Sequence, residues 1–222
     1  MPDAPGPLPG PLPGPLPTRA PALDPDAALA RLDAGNARFV GGDLLHPRRD
    51  HEHRASLAKT QRPYAAVLGC SDSRVPHEIL FDEGLGDLFA VRVAGNTALD
   101  PLVVGSVEFA VAFLDVAAVV VLGHEDCGAV KAAIEVARGG ADLPGDLMAV
   151  VAPIVPVVAS VLDALPASTP PDEVVDACVR ANVAHTVEQL SKVALVADAI
   201  ADGTLALAGR AYLLEEGTAV PV

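Results

Sequence analysis

The sequence predicts an α/β fold, a central and mostly parallel β-sheet flanked by helices, with a helical arm on its N-terminal side. Three short runs, "YAAVLGC", "LFAVRVAG" and "VAAVVVLGH", are continuously apolar and Val-rich rather than alternating, as strands covered on both faces are. Stretches of helical periodicity lie between and after them, the order expected of a parallel sheet. Hydrophobic residues make up 51% of the 222 residues and aromatic ones 3%, so the core must be built from Ala, Val and Leu. A chain of this length fits one domain with a tail.

Residues 5–16 are three copies of "PGPL". Such a segment donates few backbone hydrogen bonds and has little to bury, so residues 1–23 are expected to be a disordered, polyproline-like arm. The folded domain then spans 24–222. Asp24 can cap a helix with Pro25 in its first turn, and Leu29, Leu32 and Phe39 recur at helical spacing before Gly41-Gly42 stops it. His46 to Arg54 is charged and irregular, and His51 and His53 read as part of a solvated loop. "YAAVLGC" is the first strand, "EGLGDL" a turn, and "LFAVRVAG" the second strand. "DPLVVGSVEFAVAFLD" is a helix, "VAAVVVLGH" the third strand, and "GAVKAAIEVARGG" a helix ended by Gly139-Gly140. Leu147 to Leu162 reads as one core helix kinked by Pro153 and Pro156. A long helix is expected from Pro171 to about Ala201, and "TLALAGRAYLLEEGTAV" closes the domain as a strand and turn.

The net charge of −14 argues against nucleic acid or an anionic membrane as partner. No apolar stretch reaches the ~18 residues of a membrane span, and the N-terminus lacks a basic start and an apolar h-region. A cytoplasmic protein is the expectation. The cysteines Cys70, Cys127 and Cys178 are too few for a disulfide framework; metal binding or burial suits them better. Cys178 reads as a small core residue.

The chemistry concentrates at two strand ends, where α/β sheets place their sites. "CSDSR" puts Cys70, Asp72 and Arg74 at alternate positions, and "GHEDCG" puts His124 and Cys127 just after another strand. Thiolate and imidazole are the usual zinc ligands, and the H-x-x-C spacing lets two side chains converge on one ion. Cys127 precedes a helix, whose N-terminus favours thiolate. Asp72 can either close the site as a fourth ligand or pair with the planar fork of Arg74, which an extended segment would place on the same side. His77 and His185 fall outside this pattern.

These two motifs, together with "ARLDAGNARFVGG", "GDLFAVRVAGN", "GSVEFAVAFL" and "GRAYLLEEG", resemble those of the β-class carbonic anhydrases over about residues 24–218. The resemblance implies one Zn2+ per chain on Cys70, His124 and Cys127, with Asp72 as a switchable fourth ligand that Arg74 holds away in the active state. It implies reversible hydration of carbon dioxide to bicarbonate and a proton, with zinc-bound hydroxide as nucleophile, and a homodimer or homotetramer. The backbone N–H of Gly128 would help to place a substrate oxygen. Some relatives are inhibited through a bicarbonate pocket built from Trp, Arg and Tyr. Arg92 fits the arginine's place, but the tryptophan's place falls at Val67 and the chain has no Trp, so no such pocket and an open site at neutral pH are expected. Arg92 then reads as a structural or interface ion pair. Hydrolysis of carbonyl sulfide or carbon disulfide on the same fold, or a closed, purely structural zinc site, are the alternatives.

Overall fold

A computed structural model describes residues 23–140 and 143–222. The "PGPL" repeats lie outside the described residues; Leu23, the last residue of the expected arm, packs against the core. Asp24 caps α1 (Pro25–Gly41), its Oδ1 accepting from the Ala27 N–H at 2.8 Å, and Gly42 ends the helix in the left-handed region at φ 76°.

The charged stretch expected to be a loop is partly helical. Asp50 accepts from the His53 N–H and starts α2 (His51–Ser56), which runs into a 3₁₀ turn, Leu57–Lys59. The order continues with β1 (Ala65–Gly69), α3 (His77–Leu80), β2 (Leu88–Arg92), α4 (Pro101–Leu114), β3 (Ala118–His124) and α5 (Gly128–Ala137). Two expected long helices are each broken in two. Pro153 cannot donate to a helical ladder and separates α6 (Leu147–Val151) from α7 (Val155–Ala164), while Pro156 sits harmlessly in the first turn of α7. Val193 turns extended at φ −72°, ψ 123° and packs into the core, dividing α8 (Pro171–Ser191) from α9 (Ala194–Ala201). The closing strand β4 (Ala206–Tyr212) folds back onto an additional short strand, β5 (Ala219–Pro221).

The sheet order is β2-β1-β3-β4-β5, parallel except for β5. Every residue of β1 and β3 is buried, as their unbroken apolar sequences require. One face packs Val67, Val120 and Leu122 with Leu32, Tyr64 and Phe81; the other packs Leu68, Val119 and Val121 with Val107, Ala110 and Val183. Register pairs Gly69 with Leu122 and Leu122 with Arg210, so β1 and β3 end side by side. The loop leaving β1 at Cys70 and the loop leaving β3 at His124 thereby meet at one edge of the sheet.

Buried polar groups fasten α1 to this frame. Glu83, 1% exposed, accepts from Arg31, Arg48 and the Tyr64 hydroxyl, and Asp87 accepts from both arginines. Asp82 accepts from Arg38 and from the Leu45 and His46 N–H groups. Asn36 donates to the carbonyls of Leu80 and Gly217 and accepts from the Ala219 N–H, joining α1, α3 and the final hairpin.

Candidate metal centre

Cys70 is the first residue beyond β1, His124 the last of β3, and Cys127 the N-cap of α5. One Sγ each from the cysteines and one ring nitrogen from His124 all lie within 4.8 Å of one another, in a buried position. The His124 Nδ1 lies 2.8 Å from the Glu125 carbonyl, which can only accept, so Nδ1 carries the proton and Nε2 keeps its lone pair. Nε2 is buried and has no hydrogen-bond partner among the described residues. A buried nitrogen left without a proton or a donor is costly unless something coordinates it. Two sulfurs and this orphaned nitrogen fit a thiophilic divalent metal ion.

The thiols are prepared for that role. The Cys70 thiol is pushed down to about 4, first by the hydrogen bond from Cys127 and further by the Gly95 N–H, against the opposing effect of burial. Cys127, the donor to Cys70 and also buried, is pushed up, and binding an ion through both sulfurs would release its proton. The Gly95 N–H lies 3.4 Å from Cys70 Sγ, and Asn182 Nδ2 donates to the Gly95 carbonyl at 2.8 Å. Gly95 has φ 78°, and a Cβ there would lie 2.6 Å from Ile154 Cδ1, so only glycine brings this N–H to the sulfur.

Asp72 and Arg74 meet differently from the extended arrangement the sequence suggested. Residues 72–75 form a turn, closed by the Val75 N–H to the Asp72 carbonyl at 3.1 Å, and Asp72 Oδ1 also accepts the Arg74 N–H at 2.9 Å. Arg74 Nε and Nη2 then donate to Asp72 Oδ1 and Oδ2 at 2.9 and 2.8 Å. The Arg74 guanidinium, followed by the turn N–H, holds the Asp72 carboxyl well below the usual carboxylate range against the opposing effect of burial. Asp72 Oδ2 still lies 3.9 Å from His124 Nε2, beside the ligand atoms yet turned to the arginine.

Among the described residues Arg92 pairs with carbonyls rather than with a carboxylate. Its Nε donates to the Cys70 carbonyl at 3.0 Å and its Nη2 to the Asp72 carbonyl at 2.6 Å, bracing the loop that carries the first ligand. Sequence reasoning missed Arg92 in this role, along with Gly95 and Asn182. The signal available was "RVAGN", whose arginine ends a strand adjacent to β1 and whose glycine lies just beyond it. Val67, at the tryptophan's place, is fully buried in the core.

The other candidates are outside the ligand set. Gly128 opens α5 with open space in front of its Cα. His53 Nε2 contacts the Leu85 carbonyl at 3.0 Å, and His185 lines a groove between α7 and α8. Cys178 is fully buried in the core, where burial pushes its thiol up. His77 packs its ring against Gly69, where a Cβ would lie 2.2 Å from its Nε2, so glycine is required at the end of β1. Neither His77 nitrogen has a partner among the described residues, and burial, aided by the Arg92 charge, pushes the ring down to about 4.

Comparison with known proteins gives a consistent picture. A family model described as carbonic anhydrase matches residues 65–219. The chain is 44% identical over 198 residues to the carbonic anhydrase of Mycolicibacterium smegmatis, covering 89% of this chain and 93% of that protein. It is 43% identical over 204 residues to carbonic anhydrase 2 of Mycobacterium tuberculosis, covering 90% and 94%. Among solved structures, a tetrameric β-carbonic anhydrase of Sordaria macrospora superposes with a TM-score of 0.71 at 26% identity, over 89% of this chain and 95% of that one. The β-carbonic anhydrase CafA of Aspergillus fumigatus gives 0.70 at 30% identity, over 89% of each chain.

Proposed function

The chain belongs to the β-class carbonic anhydrase family and is an enzyme of that class, a lyase; on that premise we propose that Cys70, His124 and Cys127 bind one zinc ion per chain and that the site hydrates carbon dioxide reversibly to bicarbonate. The convergence of these three ligand atoms within 4.8 Å, beside a carboxylate already claimed by an arginine, carries the reading. When bound, zinc would supply the Lewis acidity that makes water nucleophilic near neutral pH.

The chain's own groups would do the rest. Asp72, kept ionised and turned to Arg74, would accept the proton of the attacking water in a hydrogen bond and so aim its lone pair at the carbon. Arg74 would keep that carboxylate from closing the site as a fourth ligand. The Gly128 N–H, at the start of α5, would help to place a substrate oxygen. The released proton passes to solvent or buffer. The paired state of Asp72 and Arg74 supports an open site at neutral pH.

Among the described residues the outer edge of β2 is unpaired in the sheet, the rings of Phe89, Phe109 and Phe113 stack between β2 and α4, and Leu102 of α4 is 81% exposed. A homodimer or homotetramer covering this apolar edge belongs to the proposal, with light scattering as its check. No helix among the described residues is long and apolar enough to cross a membrane, and a cytoplasmic location is part of the same reading.

The test is stopped-flow hydration of carbon dioxide from about pH 6.5 to 9 with zinc determined on the same sample, a range spanning the region where a zinc-activated water ionises. About one zinc per chain and fast turnover near neutral pH are expected. Activity confined to high pH would mean that Asp72 closes the site near neutrality. Full zinc without hydration at any pH would overturn the reading and direct assays to carbonyl sulfide and carbon disulfide.

A further inference from the structure

Arg74 faces a second carboxylate besides Asp72. Its Nη1 lies 3.6 Å from Asp126 Oδ2, and its Nη2 lies 3.4 Å from the Asp126 carbonyl. The Asp126 Oδ1 is held instead by Lys131 Nζ at 2.5 Å. Asp126 lies between the candidate ligands His124 and Cys127, with its backbone in the left-handed region at φ 54°. Lys131 projects from the first turn of α5, four residues after Cys127.

We propose that Asp126 is a rival carboxylate for Arg74, that Lys131 keeps it from competing, and that the Asp126–Lys131 pair thereby sets how firmly Arg74 holds Asp72. The inference rests on the functional reading above, since only there does the hold on Asp72 matter for turnover. The geometry carries it. A charge-assisted N–H···O bond spans ~2.7–2.9 Å, so Asp126 Oδ2 stands less than about 1 Å beyond reach of Nη1. The two bonds to Asp72 need the guanidinium coplanar with that carboxylate. An Asp126 freed from Lys131 would turn to Nη1 and pull the plane out of register. Asp126 and Lys131 are thus positioning residues that act through Arg74 and touch neither substrate nor metal. All four groups are substantially solvated except Asp72, so the effect is graded and modest.

A double-mutant cycle on the zinc-loaded, full-length protein decides it. The Arg74 Nε–H is followed by nitrogen-15 NMR, its signal assigned by loss in Arg74→Lys, and its exchange with solvent is measured. Lys131→Gln should speed exchange about two- to fivefold, the range for solvated ion pairs. Asp126→Asn should leave exchange unchanged or slower. The double variant should return to the wild-type rate, because no rival remains to be held. Unchanged exchange in Lys131→Gln, faster exchange in Asp126→Asn, or a double variant as fast as Lys131→Gln would each overturn the proposal. The kcat for carbon dioxide near neutral pH should show the same pattern. A wild type that hydrates nothing sinks the functional reading alone, since the exchange cycle still reports on Arg74.

Discussion

Two carboxylate–arginine assemblies sit in this molecule, and they are built to opposite ends. Around Glu83 and Asp87, two arginines, a tyrosine hydroxyl and a backbone N–H converge with seven hydrogen bonds on two nearly buried carboxylates, so that every oxygen is engaged. Around Asp72 one arginine makes a planar pair, the carboxylate is 20% exposed, and an unpartnered imidazole nitrogen waits 3.9 Å away. The first assembly has nowhere else to go, and it holds α1 and the 45–50 segment against the sheet. The second stands beside a candidate ligand set that Asp72 could join by a side-chain rotation. Saturation makes a salt bridge structural, and leaving it incomplete beside a ligand set makes it switchable.

The sharpest way to break this contrast is Glu83→Ala. It leaves Arg31 and Arg48 short of their partner and should cost about 3 kcal/mol, the low end for a broken buried pair. The loss is read by urea unfolding, with zinc content and turnover per folded molecule little changed. Asp72→Asn should do the reverse. Activity falls about a hundredfold or more, the scale of a lost acid–base group, while the urea midpoint moves little. A large stability loss in Asp72→Asn would erase the distinction between the two assemblies. Arg92→Met should weaken zinc binding about tenfold, as removal of groups behind metal ligands does, measured by competition with a chelator.

The most gradual effect concerns pH. His77 is neutral in the fold, with its pKa lowered to about 4 from an ordinary 6.5. The unfolded chain therefore takes up this proton first, and stability from this site is present above pH 6.5 and lost as pH falls toward 4. The slope is at most about 1.4 kcal/mol per pH unit. His77→Leu should flatten that part of the stability profile relative to wild type, and parallel profiles would refute it.

The strands and the ligand spacing were legible because they are local. A Val-rich run such as "VAAVVVLGH" fixes both burial and strand, and the position of the next residue comes from counting. The turn at 72–75 was hidden because C-x-D-x-R has the same spacing whether extended or folded; only the Asp72 side chain bonding the Arg74 N–H chooses between them. Arg92 was legible as a charge and not as a brace, since its acceptors are carbonyls 22 and 20 positions away. The break at Val193 comes from tertiary packing that outweighs helix propensity. The Asp126–Lys131 pair was in plain view in "GHEDCGAVK", but its meaning depends on Arg74, 52 residues earlier.

Asn36 carries a consequence for the order of events in the cell. Its amide is buried, and two of its three bonds go to Gly217 and Ala219, 181 and 183 residues later. At a synthesis rate of roughly 5–20 residues per second, a nascent α1 waits on the order of ten to forty seconds for those partners. Until then α1 can gather apolar contacts but not seal its polar ones. The final hairpin therefore completes the polar contacts of α1, and a ribosome stalled before residue 217 holds a chain whose Asn36 lacks two of its three partners.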